Sequence, residues 1–136
     1  DEASGWYDQG GGDVDSRHNY FYPLRIRPGG RTVALSEYGG IAWPMPGHEP
    51  PGKTYGYGTA KDKADLTKRY KMLQWKTILP QLGRGLSALV YTQLTDVEDE
   101  VNGLFTYDRA ALKPEAAAVR SCNAALAAEF AKVTAK

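Results

Sequence analysis

The order of the predicted elements indicates an α/β fold built around a parallel sheet. Two strands are predicted in the first third of the chain and a third strand follows much later, with a long helical segment between the second and third strands and another after the third. Strands separated by helices usually lie parallel. Because three parallel strands alone would leave two unpaired edges and poorly covered faces, we expect this chain to be part of a larger sheet.

The first two strands are predicted on either side of a glycine turn. Residues 3–6 (ASGW) resemble the end of an earlier strand, and residues 13–20 (DVDSRHNY) are predicted as a short strand. After the turn signal at 28–30 (PGG), residues 32–37 (TVALSE) include an apolar run typical of a strand buried on both faces. The pair Gly39-Gly40 ends that strand, since glycine accepts backbone conformations that other residues resist.

A long loop and a helix are predicted next. Residues 43–58 contain four prolines and four glycines in sixteen positions, which predicts a surface loop of the kind that often binds ligands. Thr59 and Asp62 are spaced like a capping box and predict the start of a helix that ends near Leu82. Pro80 is compatible only with the end of this helix. Its apolar stripe consists of Leu66, Tyr70, Leu73 and Ile78.

The last third is predicted to contain one strand and one helix. Residues 86–94 (LSALVYTQL) have the composition of a buried strand, and residues 95–109 form a polar loop. The alanine-rich segment 113–136, with proline and glutamate near its start, is predicted to be the terminal helix. We therefore treat residues 1–136 as one unit that ends in this helix.

Composition excludes several classes of function. The net charge is +1, from 17 basic and 16 acidic residues, and the basic residues are scattered. A protein that binds nucleic acid or an anionic membrane normally carries a larger imbalance, so we expect neither partner. Cys122 is the only cysteine, which excludes an internal disulfide and a cysteine metal cluster. No apolar run is long enough to cross a bilayer, and the sequence leaves the cellular location open.

Several segments resemble glycoside hydrolase family 2, which includes β-galactosidases, β-glucuronidases and β-mannosidases. Residues 36–40 (SEYGG) are similar to the nucleophile motif of that family, and residues 89–109 (LVYTQLTDVEDEVNGLFTYDR) resemble its eighth-strand segment. Residues 3–6 and 10–20 resemble the end of its fifth strand and its sixth strand. The resemblance implies that the chain supplies strands six to eight of a (β/α)8 TIM barrel, the C-terminal portion of a catalytic domain that is incomplete on its own.

The resemblance also implies roles for individual residues. Glu37 would be the nucleophile, and Tyr20 would donate a hydrogen bond to it. His18 precedes Tyr20 by two positions on the same side of a strand, so it can meet a sugar hydroxyl. The other candidate contacts to substrate are Trp6, Trp43, Gln93 and Asp96. Gln93 departs from the tryptophan that many relatives have at that point.

The resemblance implies that the catalytic pair is shared with another part of the enzyme. The proton donor of the family is a glutamate preceded by asparagine, and this chain contains no Asn-Glu pair. We therefore expect a carbohydrate substrate, no cofactor, and partners in the first half of the barrel and in β-sandwich domains. We expect the chain alone to be inactive and, because of its open sheet edges, prone to self-association.

Simpler interpretations exist for each candidate. Glu37 alone is consistent with a surface glutamate near a turn, His18 with a structural polar residue, and the two tryptophans with packing under loops. The acidic run at 96–100 is typical of a solvated loop, with Asp96 closest to the strand end. Residues 10–12 (GGG) lack the spacing of a nucleotide-binding loop, and His48 has no second imidazole nearby with which to hold a metal.

Three functions therefore remain open at the level of sequence. The first is a retaining β-glycosidase, of which this chain is one part. The second is a carbohydrate-binding or assembly module that keeps the same sequence without the chemistry. The third is an unrelated doubly wound α/β protein with a small-molecule site at its strand ends.

Overall fold

A parallel three-stranded sheet forms the centre of the molecule. The computed structural model describes residues 5–21, 23–27 and 29–135. The strands are β1 (Val14–Asn19), β2 (Thr32–Gly39) and β3 (Leu86–Thr92), in the spatial order β1-β2-β3 and all parallel. All three predicted strands are confirmed with boundaries shifted by at most two residues. Parts of three predictions, at residues 3–4, at Pro28 and at Lys136, lie outside the described residues.

The prediction that the chain forms the C-terminal portion of a (β/α)8 TIM barrel is wrong. The described residues form an open sheet of three strands with two helical regions. A barrel closes when its last strand bonds to its first, which takes about eight strands in this class. Here β1 and β3 each pair with β2 and lie at opposite edges, and beyond β1 the described residues add one parallel bridge, between Gly5 and Arg17. The parallel direction of the strands was predicted correctly, whereas the architecture was not.

The first helical region is continuous but changes its hydrogen-bond spacing. It consists of α1 (Lys63–Met72), a π-helical segment (Leu73–Ile78) and α2 (Leu79–Leu82). The N–H of Leu79 donates to the carbonyl of Gln74, five residues earlier. Pro80 follows directly, and proline both lacks an N–H and crowds the carbonyl four residues before it. The wider turn before Pro80 lets the helix continue to Leu82, the end that was predicted.

The start of this helix differs from the predicted capping box. The N-cap is Asp62, whose Oδ1 accepts a hydrogen bond from the N–H of Asp65 at 2.8 Å. Asp65 in turn accepts from the N–H of Lys61 at 3.1 Å. Thr59 is not part of the cap, because it pairs with Ala42 in an isolated parallel bridge. The motif therefore begins three residues later than predicted.

The terminal helix α3 (Ala116–Thr134) starts later than the predicted boundary of 113. Glu115 is its N-cap and has extended backbone, and its N–H donates to Thr67 Oγ1 at 3.0 Å. Lys113 lies before the helix because its N–H donates to Leu104 O at 2.7 Å. The alanine-rich composition predicted the helix, whereas these tertiary contacts set its first residue.

Both helical regions cover one face of the sheet and form the core with it. Val33 and Leu35 of β2 are 2% and 0% exposed. They form one core cluster with residues from the segment before β2, from the end of β2 itself, from both helical regions and from β3: Leu24, Ile26, Tyr38, Ile78, Leu82, Leu86 and Leu126. On the other face of the sheet Val90 of β3 is exposed. Within the described part of the chain, no helix has the length and apolar character needed to span a bilayer.

A buried ion pair fixes the chain before α3 to the loop after β3. Lys113 Nζ lies 2.7 Å from Asp96 Oδ1 and 2.8 Å from Val101 O, and the two side chains are 0% and 2% exposed. The N–H of Gly103 donates to the same Asp96 oxygen at 2.7 Å. Burial raises the pKa of Asp96 and lowers that of Lys113, while their contact acts in the opposite direction on each. The pair therefore depends on both partners being present.

Removing one partner of this ion pair should strongly destabilise the fold. Lys113→Met leaves Asp96 buried without its counter-charge, which should lower the free energy of unfolding by about 3–5 kcal/mol. Lys132→Met removes an exposed pair with Glu129 (3.4 Å) and should cost less than about 1 kcal/mol. Urea unfolding followed by circular dichroism measures both variants. Equal losses in the two variants would contradict the assignment of the buried pair as a main stabilising contact.

Candidate functional site

The register between β1 and β2 brings two of the predicted site residues face to face. His18 of β1 pairs with Glu37 of β2, after a shift in register between Arg17 and His18. Directly paired residues of neighbouring strands extend their side chains to the same side of a sheet. Tyr20 follows His18 by two positions and continues on that side. The carboxyl ends of β1 and β2 therefore place three candidate residues together.

The side chain of Glu37, near the end of β2, lies outside the core. The alternation that buries Val33 and Leu35 would also bury Glu37. Instead Tyr38 occupies the core and is 4% exposed, and the pairing of β2 with β3 is irregular between Leu35 and Tyr38. The Glu37 side chain is 43% exposed. This irregularity gives the carboxylate access to a ligand while the strand before it stays buried.

Tyr20 holds the Glu37 carboxylate by a short hydrogen bond. The Tyr20 hydroxyl donates to Glu37 Oε2 at 2.7 Å. Burial raises the pKa of Tyr20 well above its ordinary value, and the Glu37 carboxylate raises it further, while Thr92 opposes the shift. The phenol therefore keeps its proton at neutral pH and remains a donor to the carboxylate. This is the contact that the resemblance implied.

The His18 ring lies close to Glu37 Oε2, the oxygen that accepts from Tyr20, but makes no hydrogen bond to it. Its Nδ1 is 3.3 Å from Glu37 Oε2 and has no hydrogen-bond partner among the described residues. The side chain is 13% exposed, and its ring meets Trp6 edge-on with 5.2 Å between centroids. The backbone N–H of His18 donates to the Gly5 carbonyl at 2.9 Å. His18 thus fills the space between the carboxylate and Trp6.

An aromatic cluster surrounds the carboxylate and its phenol donor. The rings of Tyr20 and Tyr57 are stacked, with centroids 3.7 Å apart and planes within 6°. Tyr57 meets Tyr55 and Phe21 edge-on at 5.5 and 5.3 Å, and Trp6 lies 6.1 Å from Tyr20. Trp6, Phe21 and Tyr55 are exposed. Exposed aromatic rings beside a carboxylate offer flat apolar surfaces to a ligand that also carries hydrogen-bond donors.

The glycine pair after Glu37 makes room for this cluster. Gly39 and Gly40 have φ angles of +101° and +60°, which disfavour any other residue. A Cβ at Gly40 would lie 2.6 Å from a ring carbon of Tyr57 and 2.9 Å from one of Tyr20. Its N–H donates to Thr92 O at 2.8 Å, and its carbonyl accepts from the N–H of Tyr57 at 2.9 Å. Gly40 therefore connects the end of β2 to the aromatic loop.

Gln93 takes part in a polar network directly after β3. Its Nε2 donates to Asn102 Oδ1 at 2.7 Å and to Glu100 Oε2 at 3.1 Å, and Asn102 Nδ2 donates to the same Glu100 oxygen at 3.0 Å. Asn102 is fully buried, whereas Gln93 and Glu100 are half-buried. Gln93 therefore orients a carboxylate at this end of the sheet.

Asp96 and Trp43, two further candidate substrate contacts, are less exposed than a substrate contact at the strand ends would be. The sequence placed Asp96 nearest the open end of the strand, but its side chain is buried because it neutralises Lys113. Asp96 is therefore a structural residue. Trp43 is half-buried in the loop after β2, where its backbone N–H donates to the Val101 carbonyl at 2.9 Å. His48, which we did not expect to bind metal, pairs with Asp108 at 2.7 Å.

Sequence reasoning did not single out Tyr55, Tyr57, Phe21 or Glu100. The segment KTYGYG at residues 53–58 was an available signal, because its two tyrosines alternate with glycines in a loop. Within the described ranges, no group of three or more His, Cys, Asp or Glu side chains is arranged to hold a metal ion. The groups that the described residues bring together at this site are the Glu37 carboxylate, the Tyr20 phenol and the aromatic rings around them.

Comparison with known proteins adds no relative: no family model matches this chain, and no curated protein matches it.

A methyl group at Gly40 should disrupt the aromatic cluster. Gly40→Ala combines a left-handed backbone with contacts to two rings and should destabilise the fold by about 2–4 kcal/mol. Gly47→Ala is the matched control: its φ is +83°, and a Cβ there meets no atom within 4 Å, so only the backbone cost of about 1–2 kcal/mol applies. Urea unfolding measures both values. The packing explanation fails if the two variants lose the same stability.

Proposed function

We propose that Glu37 is the nucleophile of a retaining β-glycosidase that hydrolyses terminal β-linked sugars in the manner of β-galactosidases. The observation that carries the proposal is the 2.7 Å hydrogen bond from Tyr20 to Glu37 Oε2. The likeness of residues 36–40 and 89–109 to glycoside hydrolase family 2 supports it. A phenol that orients a partly exposed carboxylate at the end of a buried strand suits nucleophilic attack.

The two carboxylate oxygens of Glu37 have different surroundings. Oε2 accepts the hydrogen bond of Tyr20 and faces His18, whereas Oε1 accepts no hydrogen bond from the described residues. We propose that Oε1 attacks the anomeric carbon. The bond from that carbon to the leaving oxygen breaks, and the leaving oxygen takes a proton from a carboxylic acid. Water then attacks the same carbon, gives its proton to the second carboxylate and releases Glu37.

The proton donor in this proposal lies outside these 136 residues. Retaining glycosidases keep their two carboxyl groups about 5–5.5 Å apart. The side-chain contacts of Glu37 within the described ranges are with Tyr20 and His18, neither of which is a carboxylic acid. The chain also has no Asn-Glu pair of the kind the family uses. We therefore propose that a separate segment supplies the acid.

The proposed sugar contacts differ in their structural support. Trp6 has the strongest, because it is exposed and its ring contacts both His18 and Tyr20. His18, Trp43 and Gln93 remain proposals. Asp96 is not among the proposed sugar contacts, because its carboxylate is buried in the ion pair with Lys113.

A sugar-binding module without chemistry is the second candidate. It is favoured by the exposure of Glu37 and by the aromatic rings around it, which suffice for binding. In that case Glu37 would accept a hydrogen bond from a sugar hydroxyl and would form no covalent bond. The two functions differ in one measurable step, the formation of the glycosyl ester.

An activated fluoro-sugar should label Glu37 covalently. A 2,4-dinitrophenyl 2-deoxy-2-fluoro-β-glycoside of galacto, gluco or manno configuration needs no proton donor, because dinitrophenolate leaves with its electron pair unaided. We expect the protein to gain the mass of one fluoroglycosyl group, with peptide mapping to Glu37. Tyr20→Phe should slow labelling about tenfold, since it removes a hydrogen bond to a charged group.

The controls of this experiment identify the reacting residue. Glu37→Gln should abolish labelling, whereas Glu49→Gln, at an exposed loop glutamate, should label at the rate of the unaltered protein. A protein whose mass stays unchanged with all three sugars would reject the glycosidase. If it still binds methyl β-glycosides, the binding module is the better description.

The 136-residue chain by itself should not turn over ordinary glycosides. Methyl and alkyl β-glycosides have poor leaving groups that require a proton, and we place the donor elsewhere. We expect no sugar release above the rate in buffer, measured by a coupled assay for free hexose. Adding azide as an external nucleophile should not restore release, since the first step is blocked. Hydrolysis by the purified chain would show that it contains its own acid.

A further inference from the structure

A second carboxylate lies beside an exposed tyrosine at the same end of the sheet. Tyr55 and Glu100 pair across an isolated parallel bridge. The N–H of Tyr55 donates to Asp99 O at 2.6 Å, and its carbonyl accepts from the N–H of Val101 at 2.9 Å. Residues paired in this way extend their side chains to the same side. The Tyr55 ring and the Glu100 carboxylate are therefore neighbours on one surface.

The Glu100 carboxylate is held in place with one oxygen unused. Oε2 accepts hydrogen bonds from Gln93 and from Asn102 at 3.1 and 3.0 Å. Oε1 accepts none from the residues that the structure describes. Because Asn102 is fully buried and Gln93 also bonds to it, the two amides fix the position of the carboxylate. A fixed carboxylate oxygen with free lone pairs is a strong acceptor for the hydroxyl group of a ligand.

Tyr57 connects this carboxylate to the site around Glu37. Its ring stacks on Tyr20 at 3.7 Å and meets Tyr55 at 5.5 Å. Burial raises the pKa of Tyr57, and Glu100 and Glu37 both raise it as well. The same phenol therefore lies within the field of both carboxylates. The Tyr57 ring thus lies between Tyr20, which donates to Glu37, and Tyr55, which pairs with Glu100.

We propose that Tyr55, Tyr57 and Glu100 form a second sugar-binding subsite, next to the one at Glu37. The C–H face of a pyranose packs on the Tyr55 ring, which is 49% exposed, and one sugar hydroxyl donates to Glu100 Oε1. The substrate class is then a β-linked disaccharide or longer oligosaccharide. This subsite rests on the proposed function for the identity of its ligand as a sugar.

The test compares a disaccharide with the methyl glycoside of the same terminal sugar. The probes are lactose with methyl β-galactoside, and cellobiose with methyl β-glucoside, titrated into the 136-residue chain and followed by amide NMR shifts. We expect one disaccharide to bind about tenfold more tightly than its methyl glycoside. Tyr55→Ala and Glu100→Gln should each reduce this tenfold preference to about twofold or less. Tyr55→Phe keeps the ring and should retain it.

Matched controls separate the subsite from a general effect on folding. Tyr107→Ala removes another exposed tyrosine, and Glu98→Gln removes a charge from the same loop as Glu100. Both should keep the tenfold preference. The subsite is rejected if the unaltered chain shows no preference or binds neither pair, if Tyr55→Ala leaves the preference intact, or if the variants weaken both sugars equally.

The outcome can be separated from that of the proposed reaction. The fluoro-sugar that labels Glu37 carries a single sugar and does not use the second subsite. Labelling without a disaccharide preference rejects the subsite alone. A preference that depends on Tyr55 and Glu100, in a protein that is never labelled, supports the subsite and rejects the covalent reaction.

Discussion

The pairing of β1 with β2 is the constraint on which the rest of the site depends. The shift in register after Arg17 places His18, and not a neighbour, opposite Glu37. A slip by one residue would exchange the two faces of β1 and would turn both His18 and Tyr20 away from the carboxylate. The core side of β2 resists such a slip, because Val33 and Leu35 are already fixed under the helices. The geometry of the carboxylate is therefore set by apolar packing on the opposite face.

Gly40 connects the paired strands to the loop that carries Tyr55 and Tyr57. Gly40 bonds to β3 through its N–H and to Tyr57 through its carbonyl. A long loop rich in proline and glycine would otherwise leave its tyrosines in many positions, at a large cost in entropy on binding a ligand. The bridge between Tyr55 and Glu100 adds a second anchor. The rings are thus positioned before a ligand arrives, which reduces the cost of binding.

The sequence predicted local structure better than architecture. Apolar runs were enough to locate β2 and β3, and a buried run such as VALS carries its own signal. In contrast, β1 was predicted as a short strand from a mostly polar segment that contains Val14, Arg17 and Tyr20. The number of strands in a sheet depends on long-range pairing, which no local sequence pattern reports. For the architecture we relied on the family resemblance, which predicted a barrel that the structure does not have. Within the site, Tyr20 and Glu37 were predicted together from that resemblance. Asp96 was misplaced because its partner Lys113 lies 17 positions away, and Glu100 was overlooked because its role depends on Gln93 and Asn102.

In the reaction that we propose, solvent is the main obstacle to nucleophilic attack by Glu37. A carboxylate that is 43% exposed is well hydrated, and water bound to its oxygens competes with the anomeric carbon. Tyr20 replaces part of this hydration at Oε2 by donating to it, while Oε1 accepts no hydrogen bond from the described residues. Trp6, on which we propose that a sugar stacks, is itself 61% exposed. Full exclusion of water therefore requires a further surface above the strand ends, and the segment that we propose to supply the proton donor would have to provide that surface as well. A single additional segment can meet both requirements, because the acid must lie about 5–5.5 Å from the nucleophile, across the width of one sugar ring.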